Sequence, residues 1–308
     1  MANQVIRIGT RDSQLAVWQA NTVKNLLQSK GVESELVFIK SEGDEDLITP
    51  LYQMGVQGIF TKSLDVALLN NRIDIAVHSM KDVPTQLASG IVQAAVLERA
   101  SYKDVLVFKN STDFLFDKNV DAIIATSSIR RKAQWLYHYA NHKIENLRGN
   151  VNTRLKKLED SNWNGAIFAK AGLERIELLP PNHVDLDWML PAPAQGAVVV
   201  VCRESDHHLQ SALLPLNHLP TAICTKAERD FLKTLQGGCT TPISALALIY
   251  NDQLILKGTV FSVDGKNKFE IELKKNISAS ETIGIDAANE ILKMGGAEII
   301  ETIRDAKK

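Results

Sequence analysis

Apolar positions along the chain follow two rhythms, and the change comes near Thr221. Before it, short apolar runs alternate with stretches whose apolar residues recur every three or four positions. Val5–Thr10, Glu35–Ile39, Ile73–His78, Ile91–Leu97, Val105–Phe108, Ala122–Ala125, Lys143–Leu147 and Ala166–Ala169 read as strands, and so does the run Ala197–Cys202. Between the first two, Leu15, Val17, Trp18, Val23, Leu26 and Leu27 line one side of a helix that Ser13 can cap and Gly31 stops. Phe60–Leu69, Arg130–Tyr139 and Val151–Glu159 read as further helices. Such alternation predicts α/β units with mainly parallel sheets, in which ligands gather at the carboxyl ends of strands and at helix N-termini.

After Thr221 a helical run, Ala222–Leu235, stops at Gly237-Gly238. Three alternating segments follow, near Ile243–Tyr250, Gln253–Val263 and Lys268–Lys274, separated by the turn signals Asn251-Asp252 and Asp264-Gly265. A helix over Glu281–Lys293 and a shorter one after Gly296 complete a separate α+β domain. There is no internal repeat and no low-complexity tract.

Composition narrows the function classes. The 308 residues carry 35 Lys plus Arg against 36 Asp plus Glu, so anion binding must come from local clusters rather than a basic coat. No basic stripe interleaved with stacking aromatics suggests a nucleic-acid partner. The apolar runs are far shorter than the roughly 20 residues that span a bilayer, and the N-terminus has no secretory h-region; the expectation is a cytoplasmic protein with no membrane partner. Cys202, Cys224 and Cys239 are odd in number and lack CxxC spacing, so neither a disulfide framework nor a metal site is expected.

Candidate chemistry clusters in three places. Arginines recur where elements begin or end: Arg11 with Ser13, Arg130 and Arg131 after Thr126-Ser127-Ser128, Arg148 and Arg154 around Gly149-Asn150, and Arg175. Guanidinium groups and hydroxyls near helix N-termini suit carboxylate or phosphate, although any one of these arginines can equally sit in a surface ion pair. No glycine-rich phosphate loop accompanies them. The run Ile73–Pro84 delivers Lys81 and Asp82 to the end of a strand, where a carboxylate can steady a cation or move a proton, or simply form the turn before Val83-Pro84. Cys239 follows two glycines on a turn and is either an exposed nucleophile or attachment point, or an inert thiol; Cys202 and Cys224 lie among apolar neighbours and read as core thiols.

Together these stretches resemble the hydroxymethylbilane synthase (porphobilinogen deaminase) family. The matching pieces are Arg7-Ile-Gly-Thr-Arg-Asp-Ser-Gln-Leu-Ala, Asp74-Ile-Ala-Val-His-Ser-Met-Lys-Asp-Val-Pro-Thr, Thr126-Ser-Ser-Ile-Arg-Arg, Leu147-Arg-Gly-Asn-Val-Asn-Thr-Arg-Leu, Ala171-Gly-Leu-Glu-Arg, Pro193-Ala-Gln-Gly-Ala and Ala227-Glu-Arg followed by Gly237-Gly-Cys. They occur in family order, and the last sixty residues match weakly.

The resemblance implies an α/β fold: two periplasmic-binding-protein-like α/β domains plus a small C-terminal α+β domain. Residues 1–98 with 197–217 would form the first, 104–192 the second, and 221–308 the third, carrying the cysteine loop. It implies a transferase that polymerises four porphobilinogens on a covalent dipyrromethane primer and then releases linear hydroxymethylbilane by hydrolysis. Cys239 would carry the dipyrromethane cofactor through a thioether, and Asp82 would be the catalytic carboxylate. Lys81, Thr126, Ser127, Ser128, Arg130 and Arg131 would bind the cofactor. Arg11, Ser13, Phe60, Arg148, Arg154, Arg175 and Gln195 would bind substrate and growing chain. The implied partners are porphobilinogen and pyrrole-chain intermediates, the implied state a monomer.

This sequence departs from the family pattern at Gln57, usually a lysine, at Ser63-Leu64-Asp65, at Glu98–Asp104, and at Ala194, commonly a glycine. The competing expectation is a non-catalytic small-anion binder on the same two-lobed fold. Asp82 and Cys239 favour the enzyme, because a simple binder needs neither.

Overall fold

Strand β1 (Ile6–Thr10) turns Ile6 and Ile8 to one side, where Ala20, Val23 and Leu27 of helix α1 (Gln14–Ser29) close over them. Of the helix side predicted from sequence, Val23 and Leu27 join this apolar seam, whereas Trp18 and Leu26 are exposed and Gln19 and Ala20 are buried in their place. A computed structural model describes residues 5–40, 61–117, 119–238 and 241–305. By packing, the chain forms two compact units. Of the described residues, one takes those up to Ala100 together with Gly196–Ile223; the other takes Ser101–Gln195 and those from Cys224 onward.

In the first unit β1 lies parallel to both β2 (Ser34–Phe38) and β3 (Ile75–Ser79), with Ile8 opposite Leu36 and Ile75. Helix α2 (Lys62–Leu69) precedes β3, and β4 (Ile91–Val96) lies at the sheet edge. Strand β10 (Val198–Arg203) enters antiparallel between β3 and β4, giving the order β2-β1-β3-β10-β4. The short helix α6 (His207–Leu213) then contributes Leu209 and Leu213 to the core.

The second unit repeats the plan. Strands β5 (Asp104–Phe108), β6 (Ile123–Ala125), β7 (Lys143–Glu145), β8 (Gly165–Ala169) and β9 (His183–Asp185) stand in the order β7-β6-β8-β5-β9. Here β6 is parallel to β7 and β8, while β5 is antiparallel to β8 and β9. Helices α3 (Ile129–His138), α4 (Val151–Asp160) and α5 (Lys170–Glu174) connect the strands. Alternation in the strands builds two cores. Leu106, Ile124 and Ile167 join Trp135 and Tyr139 on one face, whereas Val105, Val107, Ala125, Ala166 and Phe168 meet Leu147, Leu158 and Leu173 on the other. A sheet buried on both faces explains why its strands read as continuous apolar runs.

The C-terminal region adds α7 (Leu219–Thr234) and an antiparallel sheet, β11 (Ile243–Tyr250), β12 (Gln253–Phe261) and β13 (Lys268–Asn276). Asn251 and Asp252 both have positive φ, 47° and 59°, as a two-residue type I′ hairpin requires. Gly258 is where β12 meets the buried ring of Phe231: a Cβ there would stand 2.5 Å from the ring's Cζ. The last two helices fall where the sequence reading put them, the first ending two residues earlier. The chain runs through Ile283–Ile291 (α8), passes through a wide turn at Leu292–Gly296 where Gly295 has φ 109°, and resumes as α9 (Ala297–Asp305). Among the described residues no helix is long and apolar enough to cross a membrane.

Candidate active site

The parallel register of β1 and β3, with Gly9 opposite Ala76, brings their carboxyl ends side by side. Arg11 and Ser13 leave the first, Lys81 and Asp82 the second. After Ser79 the chain makes a single 3-10 turn, Met80–Asp82. Met80 is buried and anchors that turn: its N–H donates to the Ala197 carbonyl at 3.0 Å and its own carbonyl accepts from Val83 at 3.2 Å. From α1, the Gln19 amide donates to Ser79 Oγ at 2.8 Å. Asp82 is therefore half-buried on a backbone held at both sides. Ser13 occupies the N-cap position of α1, with φ −66° and ψ 142°, but its side chain makes no capping hydrogen bond, a correction to the sequence expectation.

Beside Asp82's turn, His78 is buried at the end of β3. Burial, reinforced by the positive charge of Arg11, pushes its imidazole down to about 4, so the ring is neutral near pH 7. Its Nε2 is buried with no hydrogen-bond partner among the described residues. At the opposite end of the same strand, Arg7 and Arg203 are structural arginines, held by Asp74 at 2.8 and 3.3 Å.

In the second unit, Thr126, Arg148 and Arg175 lie beyond the carboxyl ends of three parallel-running strands, β6, β7 and β8. Ser128 is the N-cap of α3, its hydroxyl accepting from the Arg131 N–H at 3.4 Å, and the Ser128 N–H donates to Thr126 Oγ1 at 3.2 Å. Ser127 is spent on the backbone: its hydroxyl donates to the Leu147 carbonyl and accepts from the Leu147 N–H at 3.1 Å. This is why β7 ends at Glu145, short of the predicted Leu147. It also fixes the entry to Arg148. Gly149 follows at φ 112°, Asn150 caps α4 by accepting from Thr153 at 2.9 Å, and Arg154 Nε donates back to the Gly149 carbonyl at 2.7 Å. Arg148 is buried; Arg175 is partly buried, and desolvation lowers its guanidinium to about 10 despite the nearby Glu174.

Arg130 and Arg131 are 5% and 6% exposed, and both turn to Asp104, which is fully buried. Arg131 reaches Asp104 Oδ1 through Nε at 3.1 Å and Nη2 at 2.8 Å, and donates from Nη1 to the Ile167 carbonyl at 2.9 Å. Arg130 places Nη2 2.8 Å from Asp104 Oδ2 and donates from Nη1 to the Leu190 carbonyl at 2.8 Å. Its Nε is buried without a partner among the described residues. Gln195 is buried in the same cluster, donating from Nε2 to Asp104 Oδ1 at 3.0 Å and to the Tyr102 carbonyl at 2.8 Å.

Cys239 and Phe60, like Gln57, lie outside the described residues. The flanks of Cys239 are defined. Helix α7 closes with Gln236 at φ 53°, its N–H donating to Lys233 and that of Gly237 to Leu232. Beyond, Thr241 Oγ1 accepts from the Gly238 N–H at 3.0 Å and donates to the Gly238 carbonyl at 2.7 Å. Cys202 and Cys224 are buried, as core thiols should be.

Two family models cover most of the chain. The one described as porphobilinogen deaminase, dipyromethane cofactor binding domain, matches residues 6–211; the one described as porphobilinogen deaminase, C-terminal domain, matches 222–293. The chain belongs to the porphobilinogen deaminase family. Two curated members of that family give its extent: porphobilinogen deaminase of Geotalea uraniireducens is 40% identical over 307 residues, 98% of this chain and 96% of that one. That of Trichlorobacter lovleyi is 39% identical over 307 residues, 98% of each. Among solved structures, the periplasmic VFT2 domain of Bordetella pertussis BvgS aligns with 68% of this chain and 85% of its own at a TM-score of 0.40 and 10% identity.

For this deaminase-family chain, the donors at the start of α3 fit the carboxylates of a dipyrromethane. They combine two hydroxyls, a helix N-terminus and a buried guanidinium whose Nε has no partner among the described residues. Sequence reasoning missed two residues here. Asp104 stands in the sequence only within the Glu98–Asp104 departure, although two adjacent arginines on a buried helix face demand a counter-charge. His78 lay inside a quoted motif, but nothing in its spacing announced burial.

Proposed function

We propose that this chain deaminates porphobilinogen, joins four of the resulting pyrroles head to tail, and releases linear hydroxymethylbilane by hydrolysis in tetrapyrrole biosynthesis. The observation that carries this is the full-length family match, which spans both Asp82 and the position of Cys239. When bound through a thioether to Cys239, a dipyrromethane supplies a free pyrrole α-carbon as nucleophile. Residues 221–308 act as a third domain that presents the cysteine.

Asp82 is the catalytic residue. Its carboxylate faces positive charge developing on pyrrole N–H groups and takes part in proton transfer, on a turn too well anchored to need reorganisation. Lys81, Thr126, Ser128, Arg130 and Arg131 hold the cofactor's acetate and propionate groups, and Ser127 contributes by fixing Leu147 and hence Arg148. Arg11, Ser13, Phe60, Arg148, Arg154, Arg175 and Gln195 receive substrate and growing chain. Each porphobilinogen adds two carboxylates, which accounts for so many cations on a chain with net charge −1. The enzyme works as a cytoplasmic monomer.

Intact-mass measurement of the purified full chain should find a two-pyrrole addition, peptide mapping should place it on Cys239, and Cys239→Ser should lose it. Active protein with an unmodified Cys239 would overturn the assignment.

A further inference from the structure

The Asp104 cluster does more than neutralise two arginines. Within the second unit one stretch of chain begins at Ser101 and ends at Gln195. Gln195 Nε2 bonds both the Tyr102 carbonyl and Asp104 Oδ1, so the two ends of that stretch are tied to each other at one carboxylate. The same carboxylate receives Arg131 through two nitrogens and Arg130 through one. Arg130 in turn holds Leu190, whose N–H donates to Gln134 Oε1 at 2.9 Å, and Arg131 holds the middle of β8 at Ile167. Among the described residues, two guanidiniums against one carboxylate give the cluster one excess positive charge, in a place where unpaired charge is costly. The partnerless Nε of Arg130 lies in that same excess.

We propose that Asp104 is a positioning residue for the anion-binding edge of the second unit. It aims Arg130 and Arg131 at one incoming carboxylate, and through Gln195 it makes that aim depend on both ends of the 101–195 stretch. It touches neither substrate nor cofactor and acts only through the arginines. An arriving carboxylate competes with Asp104 for the same guanidinium donors, so binding is felt at Tyr102 and at Gln195 together. This deepens the proposed function, because the incoming carboxylate is that of a pyrrole side chain.

The test is Asp104→Asn in the purified full chain, which keeps size and an acceptor but removes the charge. Hydrogen exchange reads the two chain ends, and intact mass reads the fraction of folded protein carrying the two-pyrrole adduct. The variant is expected to melt cooperatively, to exchange at least tenfold faster at both 101–104 and 190–195, and to carry at least tenfold less adduct. A merely structural carboxylate would lower the melting temperature and leave the adduct fraction of folded protein unchanged; that result overturns the proposal, as does faster exchange at one end alone. Wild-type protein without any adduct would sink the proposed function instead, while the exchange comparison would still decide the coupling. If Asp104→Asn does not fold, Gln195→Leu takes its place. It leaves the arginine pairs intact and should speed exchange at both ends, and unchanged exchange there refutes the tie.

Discussion

The two α/β units have the same sheet, with strand order 2-1-3-n-4 and one antiparallel strand in the fourth place, yet they arm its carboxyl edge in opposite ways. In the first unit the edge carries a half-buried carboxylate on a rigid turn, beside a buried histidine that is kept neutral. In the second it carries buried arginines already engaged by an internal aspartate. On the proposed function, chemistry needs a group that changes its interactions during the reaction, and Asp82 stands partly open on a fixed backbone. On the same proposal, binding of carboxylates needs fixed positive charge, and Arg130 and Arg131 are buried and held. A shared scaffold therefore does not imply a shared task; the side chains at the strand ends decide it.

The comparison is most exposed at Asp82. Asp82→Asn should leave the fold intact and cut turnover by roughly 10²- to 10⁴-fold, the usual contribution of a positioned acid or base. Turnover within about threefold of wild type, measured on protein that carries the adduct, would end the division between a reactive edge and a binding edge.

The second contrast is stability. Arg131→Leu strips two hydrogen bonds from a fully buried carboxylate and should cost about 3–5 kcal/mol, the range for breaking a buried pair from one side. Arg11→Leu, at a partly exposed position of the other edge, should cost less than about 1 kcal/mol. Urea unfolding of both variants checks this, and equal losses would mean the arginines of the two edges are not built differently.

How far the sequence foretold this contrast varies by residue. The strand-end positions of Arg11, Asp82, Thr126, Arg148 and Arg175 were legible, because the alternation of strands and helices predicts where parallel strands end. Asp104 was not. Its partners stand 27 and 91 residues away, at Arg131 and Gln195, and no local spacing encodes such a pairing. The Leu147 contact of Ser127 was hidden for the same reason: its hydroxyl bonds a backbone twenty residues on, and that depends on how β6 and β7 lie together. The three-residue strand β9 and the short helices α5 and α6 carry too few residues for a period to emerge.

A smaller effect comes from pH. His78 has a folded value of about 4 against roughly 6.5 unfolded. Between those values the unfolded chain binds more protons, so this group's contribution is complete above about pH 6.5 and is lost as pH falls toward 4, by at most roughly 3 kcal/mol. Asp65, raised to about 6 by burial with its Thr61 hydrogen bond opposing, acts in the other direction: its contribution is present below about pH 4 and lost as pH rises to 6. The two slopes oppose each other, so the wild-type profile alone is uninformative. His78→Gln removes one of them. The difference in unfolding free energy between wild type and variant should rise from pH 4.5 to 6.5 and stay flat to 8; parallel profiles would mean that the first edge does not rest on a neutral histidine.

The smallest expected effect tests whether the second edge is held by its polar network rather than by backbone preference. Ala194 is fully buried at φ 61°, a conformation that costs an L-residue roughly 1–2 kcal/mol and that glycine adopts freely. It stays because its N–H donates to Glu228 Oε2 at 2.6 Å, while Oε1 of the same carboxylate accepts from Ala247 at 2.7 Å, and because Gln195 beside it is bonded to Asp104. Ala194→Gly removes the steric cost but gives up a buried methyl, worth about 0.8 kcal/mol, and frees the unfolded chain by a comparable amount. These contributions nearly cancel, so unfolding free energy should shift by less than about 1 kcal/mol and exchange at 190–195 should stay within about threefold of wild type. A loss of protection there of tenfold or more would show that the restricted backbone of Ala194, and not the carboxylates of Glu228 and Asp104, keeps this stretch in place.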